Sequence, residues 1–140
     1  MSLLLDTNVL SELRKGPRAS SRVRAWFEGV ASDEIHLSVL VVGELRRGIE
    51  RIRARDARQA AALERWLSTV VSSHADSILP VDKRVAEQWG RLTAQRPGSV
   101  IDTLMAATAL VHGFVLVTRN VKDVAWTGVS CLNPFEAPSS

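Results

Sequence analysis

Leu3-Leu4-Leu5-Asp6-Thr7-Asn8-Val9-Leu10 opens the chain with three consecutive leucines that run into an aspartate. A short apolar run bounded by polar residues reads as a strand buried on both faces, the kind from which parallel sheets are built. Asp6 then stands at the carboxyl end of that strand, and Thr7 onward reads as a turn into a helix. Two roles suit a carboxylate in that place. It can cap the helix N-terminus, or it can join other carboxylates around a cation.

Working outward, the same alternation repeats. Arg14-Lys15-Gly16-Pro17 stops the first helix with a Gly and a Pro breaker. Ser20 or Ser21 caps a second helix bearing Val23, Trp26 and Phe27. A strand follows at Ile35-His36-Leu37. From Ser38 the apolar residues fall at helical spacing (Val41, Leu45, Ile49, Ile52), and from Asp56 they do so again (Ala60, Leu63, Leu67, Val70). Ile78-Leu79-Pro80-Val81 is a brief strand, and Asp82 caps a helix with Val85, Trp89 and Leu92 that Pro97-Gly98 breaks. Val100 to His112 is a strongly apolar helix stopped by Gly113. Phe114-Val115-Leu116-Val117 is a wholly apolar strand, and a last strand lies near Val129 to Leu132. Short apolar strands alternating with helices predict an α/β fold: a central, mostly parallel sheet with helices on both faces. In such sheets ligands bind beyond the carboxyl ends of the strands, at a topological switch point.

At 140 residues the chain fits one domain spanning 1–140, long enough to bury a substantial core. Hydrophobic residues make up 46%, which excludes a disordered chain, and no apolar run reaches the length of a membrane span. The N-terminus lacks the features of a signal peptide, and a lone cysteine, Cys131, cannot form an internal disulfide; both point to the cytoplasm. The net charge is +3, and of 18 basic residues only Lys15, Lys83 and Lys122 are lysines. Arginine's flat fork suits phosphates and carboxylates, so acidic partners are expected, whether RNA or an acidic protein surface. The arginines from Arg46 to Arg58 form either a solvated face laced with Glu50 and Asp56 or a rim that grips such a partner.

Three further carboxylates share the unusual placement of Asp6. Glu44 interrupts an apolar helix start, Asp102 sits in the first turn of the hydrophobic helix after Val100, and Asp123 lies just past the strand ending at Val117. Each has a structural alternative: Glu44 can pair with Arg47, Ser99 with Asp102 has capping-box spacing, and Asp123 can serve a turn. Together they fall where a doubly wound fold gathers its site. Carboxylates sharing one pocket repel one another unless a cation intervenes, and an all-oxygen site selects Mg²⁺ or Mn²⁺ over zinc. His36, His74 and His112 show no ligand spacing; His112 reads as a helix-end residue, Cys131 as core, and the four tryptophans as core or dimer surface. No Gly-rich Lys-Ser/Thr loop is present, which excludes a P-loop NTPase.

The segments Leu4 to Glu12, Val42 to Leu45, Val100 to Ala109 and Val117 to Asp123 resemble, in order and over nearly the whole chain, the PIN-domain family. The likeness is to the VapC/FitB-type toxins of bacterial toxin–antitoxin pairs. The resemblance implies an Mg²⁺- or Mn²⁺-dependent ribonuclease with Asp6, Glu44, Asp102 and Asp123 as catalytic and metal-binding residues. Thr7, Asn8, Thr118 and Asn120 would then be the polar neighbours that orient them. Many relatives carry an aspartate where this chain has Asn120, so Asp123 and Asn120 both stand as candidates to complete the site. It further implies an RNA substrate, a cognate DNA-binding antitoxin and a homodimer. The competing expectation is a catalytically inert PIN module that works only through its partner. Arg119 is expected to meet substrate phosphate or to pair with a neighbouring carboxylate.

Overall fold

The computed structural model describes residues 1–136; residues 137–140, the end of the domain expected over 1–140, lie outside the described residues. Five strands alternate with seven helices. The strands are β1 (Leu3–Leu5), β2 (Ile35–Ser38), β3 (Ile78–Leu79), β4 (Val115–Val117) and β5 (Cys131–Leu132). The helices are α1 (Thr7–Leu13), α2 (Ser21–Glu28), α3 (Val39–Arg53), α4 (Ala57–Ser73), α5 (Lys83–Gln95), α6 (Val100–His112) and α7 (Val121–Val124). The sheet is parallel throughout, rather than mostly so, in the order β3-β2-β1-β4-β5.

That order fixes where the helices lie and where a ligand can enter. The chain steps from β1 to β2 to β3 in one direction, then returns across the sheet to β4 and on to β5. Right-handed crossovers therefore set α1–α4 on one face and α5–α7 on the other. The reversal of direction leaves a crevice at the carboxyl ends of the adjacent strands β1 and β4. The three leucines of β1 are 2%, 0% and 1% exposed, as a strand covered on both faces requires.

One main core holds the two layers together. Val9, Leu10 and Val41 pack on the sheet from the first face, and Met105, Ala106, Ala109 and Val124 from the second. Cys131, half-buried, packs against this core, and the thiol's pKa is raised by burial. Ile49, Ala60 and Leu67 form a second cluster between α3 and α4, and Val85, Leu92 and Ala107 a third between α5 and α6. Gly113 ends α6 with φ +70°, a left-handed conformation that a side chain would strain.

Candidate active site

Asp6 is 7% exposed and lies at the β1 end of the crevice, and both roles open to it from the sequence are compatible there. Its Oδ1 accepts the Thr7 backbone N–H at 2.8 Å, which caps α1. Its Oδ2 accepts the buried Thr118 hydroxyl at 2.8 Å and, more weakly, the Asn8 amide at 3.4 Å. Thr118 belongs to the segment just past β4, and its oxygen also accepts the Asn120 N–H at 3.0 Å. Asn8 in turn accepts the Arg119 N–H at 3.2 Å. Thr118, Asn8 and the Asn120 backbone thus fix the Asp6 carboxylate from both strands of the switch point.

Glu44 reaches the same crevice from α3, where the Thr7 hydroxyl donates to its Oε1 at 2.5 Å. The pairing with Arg47 is longer, 3.8 Å, and Arg47 is largely exposed. Asp102 comes from the first turn of α6 on the opposite face. The capping box that is the alternative for Ser99 and Asp102 does not form: the Ser99 hydroxyl makes no cap bond, while its carbonyl accepts the Thr103 N–H at 2.9 Å, the first bond of the helix, and the Thr103 hydroxyl at 2.7 Å. Asp123 stands exposed in α7, with its backbone N–H bonded to the Asn120 carbonyl at 3.0 Å, so it does occupy a turn.

The electrostatics tie these groups together. The Asp102 carboxyl pKa is raised above the usual aspartate range, first by burial and then by the charges of Asp6, Asp123 and Glu44; the Ser99 hydroxyl opposes the shift. Charges from the end of β1, from α3 and from α7 therefore converge on Asp102 in α6. No three His, Cys, Asp or Glu side chains among the described residues stand close enough, as they lie, to enclose a cation together. The donor set still fits a hard divalent cation. Mg²⁺ is ordinarily held by one or two carboxylates, with water and substrate phosphate oxygens filling its shell. An anionic, all-oxygen crevice whose charges raise the proton affinity of Asp102 supplies the charge that such an ion neutralises.

The remaining expectations resolve locally. Arg119 forms no ion pair among the described residues; its guanidinium lies over the Phe135 ring, 3.7 Å from the centroid. Within the arginine-rich run, Arg46 and Arg53 are bound to Glu50 and Glu64, joining α3 to α4, whereas Arg47, Arg51, Arg55 and Arg58 make no short carboxylate contact among the described residues. An apolar groove lined by Ser11, Leu45, Gly48, Ile52, Leu63 and Trp66 opens beside Thr7 and Glu44. Phe135 and Trp126 also stand near the site, and the sequence carries no sign of it, because neither is in a periodic element.

Comparison with known proteins bears on the family and the fold. A family model described as the PIN domain matches residues 3–122. Over 139 residues the chain is 34% identical to the VapC ribonuclease Y4jK of Sinorhizobium fredii, covering 96% of this chain and 98% of that protein. Over 138 residues it is 31% identical to the toxin FitB of Neisseria gonorrhoeae, covering 95% and 98%. The structure of FitAB bound to an IR36 DNA fragment superposes with a TM-score of 0.85 at 28% identity, covering 98% of each chain.

Proposed function

The chain belongs to the PIN-domain family, in its VapC/FitB-type branch, and from that membership we propose that it is a ribonuclease toxin. It hydrolyses RNA phosphodiester bonds and is neutralised by a cognate antitoxin. The observation that carries the reading is the convergence of the Asp6, Glu44 and Asp123 charges on Asp102 at the switch point of the sheet.

In this reading Asp6 and Asp102 are the principal ligands of an Mg²⁺ or Mn²⁺ ion, with Glu44 as a ligand or orienting group. Asp123, which presses on Asp102, completes the site in preference to Asn120. A bound divalent cation supplies Lewis acidity, offsetting the charge that builds on the phosphate and making water a stronger acid. The chain's own groups do the positioning. The Thr118 hydroxyl and the Asn8 amide hold Asp6 at Oδ2, and the Thr7 backbone N–H holds it at Oδ1. The Thr7 hydroxyl holds Glu44 at Oε1, while Oε2 lies 3.8 Å from the Arg47 guanidinium. Asn120 acts through its backbone, keeping the Thr118 hydroxyl pointed at Asp6. Such pre-set partners fix ligand orientation before substrate arrives.

We assign the antitoxin to the apolar groove whose lining includes Thr7 and Glu44; in this reading a basic side chain of the antitoxin reaches the carboxylates from there. A DNA-binding antitoxin accords with the DNA-bound FitAB complex. The toxin works as a homodimer in the cytoplasm; no described helix is long and apolar enough to cross a membrane.

The test is RNA cleavage by the purified protein in Mg²⁺, in Mn²⁺ and in chelator. Cleavage is expected with either ion and not in chelator, and Asp6→Ala and Asp102→Ala each abolish it with the far-UV circular dichroism unchanged. Cleavage that survives in a folded Asp6→Ala or Asp102→Ala protein overturns the ligand assignment. A wild type inert toward RNA in every condition leaves the binding-module alternative standing.

A further inference from the structure

A crevice lined with carboxylates repels the phosphates on which it acts, so the grip on RNA has to come from groups around its mouth. Two arginines of α3, Arg46 and Arg53, are held by Glu50 and Glu64 and are not free for it. Two other arginines near the mouth are exposed and form no ion pair among the described residues, and each lies against an aromatic ring. Arg119 stacks over Phe135, 3.7 Å from the ring centroid, and Arg96 lies over Trp126 at 5.2 Å.

Both pairs are keyed to the segments that carry the carboxylates. Arg119 follows Thr118, the partner of Asp6, and its backbone N–H is fixed by Asn8 at 3.2 Å. The Asn133 amide, two residues before Phe135, donates to the Arg119 carbonyl at 3.4 Å. The Trp126 indole N–H donates to the Asp123 carbonyl at 3.0 Å. Its ring edge also closes over Gly98, in the loop that leads to Asp102: a Cβ there would come within 3.6 Å of the ring and 2.9 Å of the Thr103 methyl.

Resting on the ribonuclease reading, we propose that the Arg119–Phe135 and Arg96–Trp126 pairs are stacking platforms that hold unpaired bases of the RNA substrate beside the carboxylate crevice. A guanidinium held over a ring is pre-oriented: its outer face is open to a base, and its N–H edge to the adjoining phosphate. Base stacking of this kind tolerates any sequence but requires an exposed base face, which a duplex hides. The platforms therefore select single-stranded RNA and bring its backbone, not its bases, to the carboxylates.

The test is fluorescence anisotropy in chelator, with one labelled, unstructured oligoribonucleotide used both single-stranded and annealed to its complement. Wild type binds the single strand more tightly. Arg119→Gln and Trp126→Leu each weaken single-strand binding by about tenfold, within the range for one lost stacking contact, and leave duplex binding nearly unchanged. Arg119→Lys keeps the charge and loses the flat fork, so it stays weak; wild-type affinity in that variant overturns stacking at this pair. Trp126→Phe keeps a ring and removes the N–H, and it binds close to wild type. A loss as large as that of Trp126→Leu would instead assign Trp126 to supporting Asp123. Should all the variants bind single strands normally while the wild type cleaves RNA, the platforms fall and the ribonuclease reading stands. If the wild type neither binds nor cleaves RNA, it is the ribonuclease reading that fails.

Discussion

Asp102 shows most directly that a carboxylate at a helix start is here for more than its helix. A negative charge in the first turn ordinarily stabilises the N-terminus through the helix dipole. In this chain burial and three neighbouring carboxylates raise the pKa of the same group, which makes its charged form unfavourable in the folded state. A carboxyl that binds its proton more tightly when folded adds stability at low pH, and that contribution is lost as pH rises from the ordinary aspartate range through the raised value. Metal-free Asp102→Asn is therefore expected to be at least as stable as wild type near pH ~7. The difference should close at about pH 3, below the ordinary aspartate value, where the wild-type group is neutral too. Adding excess Mn²⁺ at neutral pH should stabilise wild type, by about 2.7 kcal/mol at a hundred times the dissociation constant, and the variant much less. Urea melts at the two pH values, in chelator and in Mn²⁺, read this out. A variant clearly less stable than wild type in chelator at neutral pH would return Asp102 to a plain helix-dipole role.

At the scale of elements, side-chain caps set where most helices begin. Asp6, Ser20, Ser38, Asp56 and Asp82 each accept a backbone N–H at the start of α1 to α5. Ser38 also ends β2 and is fully buried, its hydroxyl accepting the Leu40 N–H at 3.1 Å. Ser38→Ala should lower stability by about 1 kcal/mol, measured by denaturant unfolding, because it removes the cap and orphans the Leu40 N–H. These caps are legible in the sequence because cap, apolar period and breaker are all local signals, and the strands are legible because each is a short apolar run. A single turn has no period, so α7, from Val121 to Val124, carries no comparable signal. Ser99 has the spacing of a capping box yet its hydroxyl caps no backbone N–H, being turned to the Asp102 carboxyl. The site divides the same way. Its carboxylates could be picked out by their odd positions, while the Thr7–Glu44 and Thr118–Asp6 bonds join residues far apart in sequence and become visible only once the strand order is known.

The whole molecule hangs on β1, the three-residue strand at the centre of the sheet, paired to β2 on one side and β4 on the other. Leu4, at its midpoint, is 0% exposed and packed within the main core. Leu4→Ala should cost about 2–5 kcal/mol, a large share of the roughly 5–15 kcal/mol that holds a domain folded. Unfolding of this variant by urea, followed by circular dichroism, would show the midpoint moved far down, whereas the same change at exposed Val100 should leave it nearly in place.

Because β1 is made early and its β4 neighbour late, the ribosome releases Asp6 long before it releases anything that could complete the crevice. The Asp6 backbone N–H bonds to the Val117 carbonyl, and Asp102 and Thr118 likewise belong to the later part of the chain. Nascent chains fold from the N-terminus only where their contacts are already out. Here the decisive contacts are deferred, so a half-translated molecule carries the first carboxylate but no nuclease. The parallel topology thus defers completion of the acidic crevice until synthesis is nearly done.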